Sequence, residues 1–411
     1  MKIAVIGAGI SGLVCAYHLS ARAEVHVFDA LAHTGGHTNT VDVKAPSGHY
    51  SVDTGFIVFN DRTYPRFIRL MNKLGVPSQP STMSFSVKSE KSGLEYNGTT
   101  LNSLFAQRSN LFKPSFYRMV KDILRFNKEA PCLLENNSSN EQTLGDYLAR
   151  GNYSREFIDH YIVPMGAAIW SAGVKQMQDF PIEYFVRFFK NHGMLSVDDR
   201  PQWRVIKGGS KNYIPALTAP FKDRLRLNAP VKSVIRTENG VLVDGAPFDH
   251  VVLAGHADQM LPLLSDATPK EKDILGSFSY QENPTILHTD ISVMPRRRLA
   301  WAAWNYLIPA EPQEKVAVTY DMNILQNISA PETFLVSLNM EHKIDPAKII
   351  KAILYHHPVY TSRAIAAQKR WAEISNVQNT HFCGAYWGFG FHEDGVASGE
   401  RVCESLGVKI A

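Results

Sequence analysis

The sequence predicts an α/β fold in which a Rossmann-like nucleotide-binding domain is discontinuous in the chain and carries an inserted α+β domain. Three observations predict it. A glycine-rich turn joins an apolar strand to a helix at the N-terminus. Helical, aromatic-rich sequence then runs from about residue 64 to residue 202. Short apolar strands, typical of a parallel sheet, return after residue 203.

The first 29 residues contain the elements of a dinucleotide site in the required order. An apolar run ends at Ile6, the turn GAGISG follows at residues 7–12, and a helical pattern leads to a second apolar strand that ends at Asp29. An acid at this position can accept a hydrogen bond from a ribose, and its charge opposes a 2′-phosphate.

Each glycine of the turn has a distinct role. Gly7 permits the tight turn, Gly9 lets the backbone approach a pyrophosphate, and Gly12 lets the helix pack close to the strand. The N-terminus of the helix adds unpaired N–H groups and a partial positive charge. The turn therefore predicts a pyrophosphate site.

Two further glycine segments indicate close backbone approaches. The segment HTGGHTNT, residues 33–40, follows the acid, and a second glycine pair so soon predicts another contact with the cofactor. The segment YSVDTGFIVFN, residues 50–60, predicts a strand interrupted at Asp53-Thr54-Gly55, next to a ring system.

The remaining chain divides into alternating parts of the two domains. A strand is predicted from Leu225 to Thr237, including the segment Pro230–Val234, and a closing helix from Val396 to Leu406. We predict that the nucleotide-binding domain comprises residues 1–63, 203–262 and 372–411, and that the inserted domain comprises residues 64–202, mainly helical, and 263–371.

Composition excludes several classes of protein. The net charge of +4 is mild and scattered, which argues against a nucleic-acid partner. Four cysteines without metal spacing predict no metal site and a reduced, cytoplasmic protein. No run of about eighteen apolar residues predicts a membrane span. The run Arg296-Arg297-Arg298 is interpreted as a solvated loop, and without an evident basic amphipathic helix we expect at most peripheral membrane contact.

At these motifs the chain resembles the flavin amine oxidase and phytoene desaturase superfamily over essentially its full length. GAGISG, GGHTNT, the KGG segment at residues 207–209 and the glycine-rich entry to the last helix carry the resemblance. Four longer segments, VDTGFIVFN, DFPIEYFVRFFKNHG, DRPQWRVIKGGS and GAYWGFGFHEDGVASG, are similar to a bacterial group of predicted NAD/FAD-binding proteins. The resemblance implies a GR2-type FAD-binding domain and an oxidoreductase with non-covalent FAD.

The resemblance also implies which residues contact FAD. By segment, they are Gly7, Ala8, Gly9, Ile10, Ser11 and Gly12 at the pyrophosphate; Asp29 and Ala30 at the ribose; Gly35, Gly36, His37 and Thr38 at the pyrophosphate and ribityl chain; Gly55, Phe56 and Ile57 beside the isoalloxazine; Val231 at the adenine; and Gly384, Glu393, Asp394, Gly395 and Val396 near the pyrimidine end and ribityl chain.

Two positions depart from the pattern of the superfamily. His37 stands where relatives carry arginine, so a fixed charge becomes a titratable one. Tyr386 stands where relatives place an acid after the glycine of the last strand. Both departures affect the expected contacts with FAD.

The aromatic content of the inserted domain favours an apolar, lipid-like substrate that is desaturated or otherwise oxidised by hydride transfer to flavin N5. Trp170, Trp304, Tyr386 and Phe391 are the predicted pocket residues, and His288 and then Tyr306 are the candidate proton acceptors. Three alternatives stay open: a flavin-dependent isomerase without net redox, an amine oxidase, and a non-enzymatic lipid-binding protein of the same fold.

Overall fold

A computed structural model describes residues 1–135, 142–196, 198–311 and 313–410. Its strands, in chain order, are β1 (Lys2–Ile6), β2 (Glu24–Phe28), β3 (Thr40–Ala45), β4 (Gly48–Asp53), β5 (Phe59–Asn60), β6 (Ser78–Pro80), β7 (Phe85–Ser89), β8 (Glu95–Asn97), β9 (Trp203–Ile206), β10 (Leu225–Arg226), β11 (Val234–Thr237), β12 (Gly240–Val243), β13 (Ala246–Phe248), β14 (His250–Leu253), β15 (Ser279–His288), β16 (Trp304–Ile308), β17 (Val318–Asp321), β18 (Leu335–Leu338), β19 (Ile349–Val359) and β20 (Thr380–Phe382).

The helices are α1 (Ile10–Leu19), α2 (Pro65–Leu74), α3 (Leu101–Leu104), α4 (Pro114–Glu129), α5 (Leu144–Arg150), α6 (Arg155–Phe157), α7 (Val163–Trp170), α8 (Val174–Gln178), α9 (Ile182–Asn191), α10 (Ile214–Thr218), α11 (Ala257–Met260), α12 (Pro269–Leu275), α13 (Met322–Leu325), α14 (Ser362–Gln368) and α15 (His392–Ser405).

A parallel sheet forms the nucleotide-binding part of the molecule. Its strands lie in the order β10-β2-β1-β14-β20, and every neighbouring pair is parallel. The apolar residues of β1 are buried on both faces because helices cover the sheet, which is why this strand is an unbroken apolar run. Helices α1 and α15 pack against each other beside this sheet. The strands come from three separate stretches of chain, which confirms the discontinuous α/β fold.

A mixed seven-stranded sheet forms the inserted part, in the order β19-β15-β18-β17-β16-β7-β8. The two longest strands, β15 and β19, pair antiparallel from Ser279 opposite Val359 to His288 opposite Ile349. Residues of α4 to α9 bury their apolar side chains against this sheet in the largest core of the protein. The insertion is therefore an α+β unit, as predicted.

The structure corrects two boundaries that affect the site. The predicted strand through Val231 is wrong, because residues 227–233 are not in a strand. Pro230 lacks an N–H donor, and the Asp244 carboxylate accepts hydrogen bonds from the N–H groups of Lys232 (2.9 Å) and Ser233 (2.8 Å), so these amides have no need of a strand partner. Val231 is half-buried beside the core of the parallel sheet.

The closing helix begins at His392, four residues before the predicted start at Val396. The Asp394 carboxylate accepts a hydrogen bond from the Phe391 N–H at 3.0 Å and so caps the first turn. This earlier start places the acids of the HEDG segment inside a helix rather than in a loop.

Across the described ranges, no helix combines the length and apolar character that crossing a membrane requires.

Candidate cofactor and substrate site

The first glycine turn has the geometry that a bound pyrophosphate requires. Gly7 has φ +110°, and its N–H donates to the Phe28 carbonyl at 2.8 Å. A Cβ on Gly12 would lie 2.0 Å from the Gly7 carbonyl oxygen, so helix and strand could not pack as they do with a larger residue. A Cβ on Gly9 would meet no atom within 4 Å. The turn is thus closed on the helix side and open at Gly9, next to the first-turn amides of α1.

Asp29 ties the turn to the end of β2. Its Oδ2 accepts from the Ala8 N–H at 2.6 Å, and its Oδ1 accepts from the Leu31 N–H at 2.8 Å. Each carboxylate oxygen has a second lone pair, which remains available for a ribose hydroxyl. Ala30, the next residue, is exposed.

The second and third glycine segments converge on this turn. Gly35 donates its N–H to the Ala8 carbonyl at 2.8 Å, and Gly36 lies over Gly9, where an added Cβ would be 3.3 Å from the Gly9 Cα. A Cβ on Gly55 would lie 2.2 Å from the His37 carbonyl oxygen. The three segments that the sequence singled out are therefore neighbours in space.

The side chains after these glycines connect two cores. Phe56 stacks on His392 at a ring-centroid distance of 3.5 Å, whereas Ile57 is buried in the core of the mixed sheet. The Thr38 hydroxyl is hydrogen-bonded to the Tyr213 hydroxyl and to His392 Nε2, the latter at 3.0 Å. The Thr38 side chain thus joins its loop to the first residue of α15.

The C-terminal segment packs its small residues on α1. A Cβ on Gly395 would lie 2.7 Å from Ile10 Cγ2 and 3.1 Å from Ser11 Oγ. Val396 is fully buried in the core of the parallel sheet, and Gly384 is also buried. The N-terminus of α15 therefore lies beside the N-terminus of α1, and both helix dipoles face the same region.

The two acids of this segment cap helices. The Glu393 carboxylate accepts from the N–H groups of Arg66 (3.0 Å) and Phe67 (2.9 Å), at the start of α2. Burial raises the pKa of Glu393, and it raises the pKa of Asp394 to about 7. Their carboxylates, predicted to contact the cofactor, satisfy backbone donors in this structure.

A histidine cluster lies where the cofactor loops meet the mixed sheet. The His37 ring stacks on Tyr355 at 4.8 Å and lies 5.4 Å from the His357 ring and 6.4 Å from the His256 ring. His256 stacks on Tyr280 at 4.3 Å. Burial, reinforced by the neighbouring histidines, lowers the pKa of His37 and of His256 to about 4 and that of His357 to about 3. The cluster is therefore uncharged at neutral pH.

Two nitrogens of this cluster are buried without a hydrogen-bond partner in the described part of the chain: His37 Nε2 and His256 Nδ1. Buried polar atoms are normally paired, so both are available to a ligand. The sequence predicted His37 but missed His256 and His357. Two local signals were present: a histidine directly after Gly255, which lies two residues beyond β14, and a histidine pair on the long strand β19.

An aromatic cluster extends from the C-terminal segment into the inserted domain. Phe391 stacks on Phe188 at 5.1 Å, and Phe188 lies 4.8 Å from Trp170. Its members, linked by ring contacts, are Trp170, Phe180, Tyr184, Phe188, Tyr360, Phe389 and Phe391. Two of the four predicted pocket residues, Trp170 and Phe391, belong to it.

A narrow crevice opens at one end of the aromatic cluster. It is lined by Trp170, Ser171, Ala172, Gln176, Phe180, Gln281, His357, Pro358, Val359 and Tyr360. His357 belongs both to this lining and to the histidine cluster, so the crevice adjoins the cofactor loops. No Asp, Glu, Lys or Arg side chain contributes to the lining.

Comparison with known proteins identifies the family. A family model described as flavin containing amine oxidoreductase matches residues 10–293. The chain belongs to this family. Its members are flavin-dependent oxidoreductases, and FAD is their cofactor, typically bound without a covalent bond.

A curated relative of this flavin amine oxidoreductase is the L-amino-acid oxidase of Mus musculus, 24% identical over 316 residues that cover 68% of this chain and 46% of the relative. The chain thus spans about half the length of the curated relative it matches.

Among solved structures, the cyclohexylamine oxidase from Brevibacterium oxydans is 17% identical, with a TM-score of 0.70 over 98% of both chains. Putrescine oxidase bound to putrescine is 15% identical, with a TM-score of 0.69 over 100% of both chains. The CLA-producing fatty acid isomerase from P. acnes is 14% identical, with a TM-score of 0.69 over 98% of both chains. These likenesses show the fold.

The residues present fit FAD. The open side of Gly9, the adjoining amides of α1 and the free oxygen lone pairs of Asp29 suit the pyrophosphate and ribose. The unpartnered nitrogens of His37 and His256 supply hydrogen-bonding groups where the third glycine segment meets the mixed sheet.

The structure does not bring His288 to these loops. It lies at the end of β15 opposite to Tyr280, and both ring nitrogens are engaged: Nε2 with Ser337 Oγ at 2.8 Å, and Nδ1 as acceptor from the Asp290 N–H at 3.0 Å. His288 is fully buried. We therefore do not propose it as a proton acceptor.

The other predicted side chains lie in cores. Tyr306 is buried on β16, and burial raises its pKa far above the usual range. Trp304, on the same strand, makes an edge contact with Tyr320 at 5.0 Å rather than with the aromatic cluster. Tyr386 packs on Phe278 at 4.8 Å in the core of the parallel sheet.

Proposed function

We propose that this flavin amine oxidoreductase oxidises an apolar, lipid-like small molecule. The observation that carries the proposal is the aromatic cluster beside the cofactor loops, three of whose rings, Trp170, Phe180 and Tyr360, line a narrow crevice without charged side chains. FAD, when bound, accepts the hydride equivalent that the substrate loses. The chain's own residues bind and orient the substrate and exclude water.

The aromatic cluster supplies binding without charge. Large aromatic side chains dominate the energetics of apolar recognition, and seven of them lie in one connected group here. An α-amino acid would need a cationic group for its carboxylate, and the lining offers none. The lining therefore favours a substrate without a carboxylate at this end.

His357 is a polar group of the crevice that can orient a substrate. Asn283 Nδ2 donates to His357 Nδ1 at 3.0 Å, which leaves the ring proton on Nε2. The Asn283 oxygen in turn accepts from Asn339 Nδ2 at 2.9 Å, which fixes the amide orientation. Because burial holds the pKa of His357 near 3, the ring is a neutral, fixed hydrogen-bond donor at neutral pH.

A second candidate is oxidation of a neutral amine. An aromatic lining also suits an uncharged nitrogen, and the family contains amine oxidoreductases. Isomerisation without net redox would use the same cavity.

The test is the visible spectrum of the FAD-loaded protein under anaerobic conditions. We expect bleaching of the flavin absorbance on addition of a fatty-acyl substrate, and none with L-phenylalanine. Bleaching by cyclohexylamine or putrescine alone would instead establish amine oxidation. A changed acyl product with the flavin still oxidised would establish isomerisation. If none of these compounds bleaches the flavin or is converted, the proposal is refuted.

A variant pair tests the role of the aromatic cluster. Phe389 is half-buried and its ring contacts Tyr184 at a centroid distance of 4.4 Å, so we expect Phe389→Ala to raise KM for the apolar substrate while the flavin spectrum stays unchanged. Phe85→Ala is the matched control, because Phe85 is also half-buried against the same core but lies on β7, near the far edge of the mixed sheet. Equal KM values for both variants would contradict the assignment.

We also propose that the protein works in a reducing compartment such as the cytoplasm. Buried Cys15 Sγ and Cys403 Sγ lie only 3.8 Å apart in the interface between α1 and α15 and form no disulfide, and Cys383 is also a buried thiol.

A further inference from the structure

One face of the inserted domain exposes large apolar side chains. Phe112 is 86% exposed, Leu101 79% and Leu124 56%. Leu111, Tyr117 and Leu299 are also exposed. Single exposed apolar residues are ordinary, but a group of this size on neighbouring segments indicates an interaction surface.

Hydrogen bonds hold these segments in one arrangement. The Arg108 guanidinium donates to the carbonyls of Asn102 (3.2 Å) and Phe105 (2.9 Å), which fixes the 3-10 helix Arg108–Phe112 on α3. The Tyr117 hydroxyl donates to the Leu111 carbonyl at 3.0 Å, which fixes the same turn on α4. The turn Arg298–Ala300 also packs against α3.

The polar residues of this face are basic. Residues 101–128 contain six bases and one acid, and the neighbouring segment 296–299 contains three arginines and no acid. The single acid, Asp122, is buried and paired with Arg125 at 3.2 Å. The exposed members of what we call the basic apolar face are Leu101, Arg108, Leu111, Phe112, Tyr117, Arg118, Lys121, Leu124, Lys128, Arg296, Arg298 and Leu299.

Two acids that border this face are paired with its bases. Glu156 pairs with Arg118 at 2.7 Å, and buried Glu95 pairs with Arg297 at 2.8 Å. Glu129, at the end of α4, accepts from the Tyr153 hydroxyl at 3.1 Å. Glu129 keeps its negative charge in that hydrogen bond, but the exposed bases of the face outnumber it, so the face presents net positive charge to its surroundings.

We propose that the basic apolar face docks on an anionic lipid bilayer, with Phe112 and its neighbours in the interface and the lysines and arginines at the headgroups. Stable peripheral binding takes two signals, apolar insertion and electrostatic attraction, and this face carries both. A protein partner with a surface of mixed charge would not complement a face whose exposed charges are mainly positive and lie between exposed apolar side chains. The proposal does not depend on the substrate or on the redox chemistry.

The outer stripe of α4 shows how the two signals alternate. Tyr117, Lys121, Leu124 and Lys128 follow one another at three- or four-residue spacing on the exposed side. Tyr117 also lines a shallow surface depression with Leu111, Phe112, Pro114, Arg118 and Lys121. Apolar and basic groups thus alternate along one exposed surface.

The experiment is sedimentation of the full-length, FAD-loaded protein with lipid vesicles. We expect binding to vesicles of equal parts phosphatidylcholine and phosphatidylglycerol, little binding to phosphatidylcholine alone, and loss of binding in molar salt. We expect Phe112→Ser to weaken binding about tenfold or more, since it removes an inserted aromatic ring. Lys121→Glu is expected to weaken binding by about tenfold as well, because it reverses one charge near the surface.

Two exposed residues elsewhere supply the controls. Leu354 is 50% exposed on β19, and Lys369 is exposed after α14, so Leu354→Ser and Lys369→Glu should bind vesicles as the unsubstituted protein does. Tm and flavin absorbance confirm that all four variants are folded.

Three outcomes would overturn the proposal. The first is no sedimentation with the anionic vesicles, and the second is equal binding by all four variants. The third is a dimer in solution that Phe112→Ser converts to a monomer, since a second copy of the chain would then cover the face.

Discussion

Replacing Gly9 by alanine should separate cofactor binding from folding. Gly9 has φ −75° and ψ 176°, a conformation that alanine adopts without strain, and its added Cβ would meet no protein atom within 4 Å. Replacing glycine by alanine stabilises the folded state by about 0.4–1 kcal/mol, because it lowers the conformational entropy of the unfolded chain. Alanine is, however, less favourable than glycine at a helix N-cap. The two effects nearly cancel, so the free energy of unfolding of the apo-protein should change by less than about 1 kcal/mol.

The same methyl group would occupy the space where the pyrophosphate approaches the turn. Overpacking by one methyl costs about 1–3 kcal/mol, which corresponds to a Kd for FAD about 5- to 150-fold higher. Fluorescence titration of the apo-protein with FAD measures the Kd, and urea unfolding measures the stability. An unchanged Kd in Gly9→Ala would refute the placement of the pyrophosphate at this turn.

Gly12→Ala provides the contrast, because its Cβ would lie 2.0 Å from the Gly7 carbonyl oxygen and 3.0 Å from Ala254 Cβ. This substitution requires backbone movement, so we expect it to lower the stability of the apo-protein itself by about 3 kcal/mol or more. If Gly12→Ala unfolds at the same urea concentration as the unsubstituted protein, the packing of α1 on β1 is looser than the structure shows.

Two further predictions concern buried ionisable groups. Glu393→Gln should lower the free energy of unfolding by about 1 kcal/mol, since it weakens the cap of α2, and should leave the Kd for FAD unchanged. An unchanged free energy of unfolding with a raised Kd would show instead that Glu393 contacts FAD. For His288, burial lowers the folded-state pKa to about 4, below its unfolded value, so the unfolded chain binds more protons and stability is lost as the pH falls from about 6.5 towards 4. Between pH 7 and pH 5, His288→Asn should therefore lose about 2 kcal/mol less stability than the unsubstituted protein. Equal losses of stability in urea unfolding would contradict a buried neutral imidazole. If the variant folds stably but has no turnover, His288 is again a catalytic candidate.

The sequence predicts the parts of the site that depend on short stretches of chain. The turn at residues 7–12 was predictable because its glycine spacing, the preceding strand and the following helix are all local, and the family match confirms the FAD-binding fold. The other two glycine segments follow the same logic, and the structure packs the second segment on Gly9 and the third on His37 of the second.

The parts that sequence reasoning missed depend on contacts between distant residues. Glu393 was predicted to contact FAD, but its partners are the amides of α2, 326 and 327 residues away in the chain. His357 meets His37 because the register of β19 on β15 sets that strand end against the cofactor loops, and His256 meets it because His256 follows β14, the neighbour of β1 in the parallel sheet. No local pattern specifies such a register.

Helix α4 connects the two proposals physically. Its inner side chains, Phe116, Met119 and Phe126, are buried in the same core as the aromatic cluster, whereas its outer stripe forms part of the basic apolar face. A lining without charged side chains favours uncharged, largely apolar substrates, and molecules of that kind are scarce in water and concentrated in bilayers. A protein that binds such molecules therefore encounters them more often at the membrane surface than in solution, and a charged entrance would not attract them. The positive charge accordingly lies on the outer face of the inserted domain and not in the crevice.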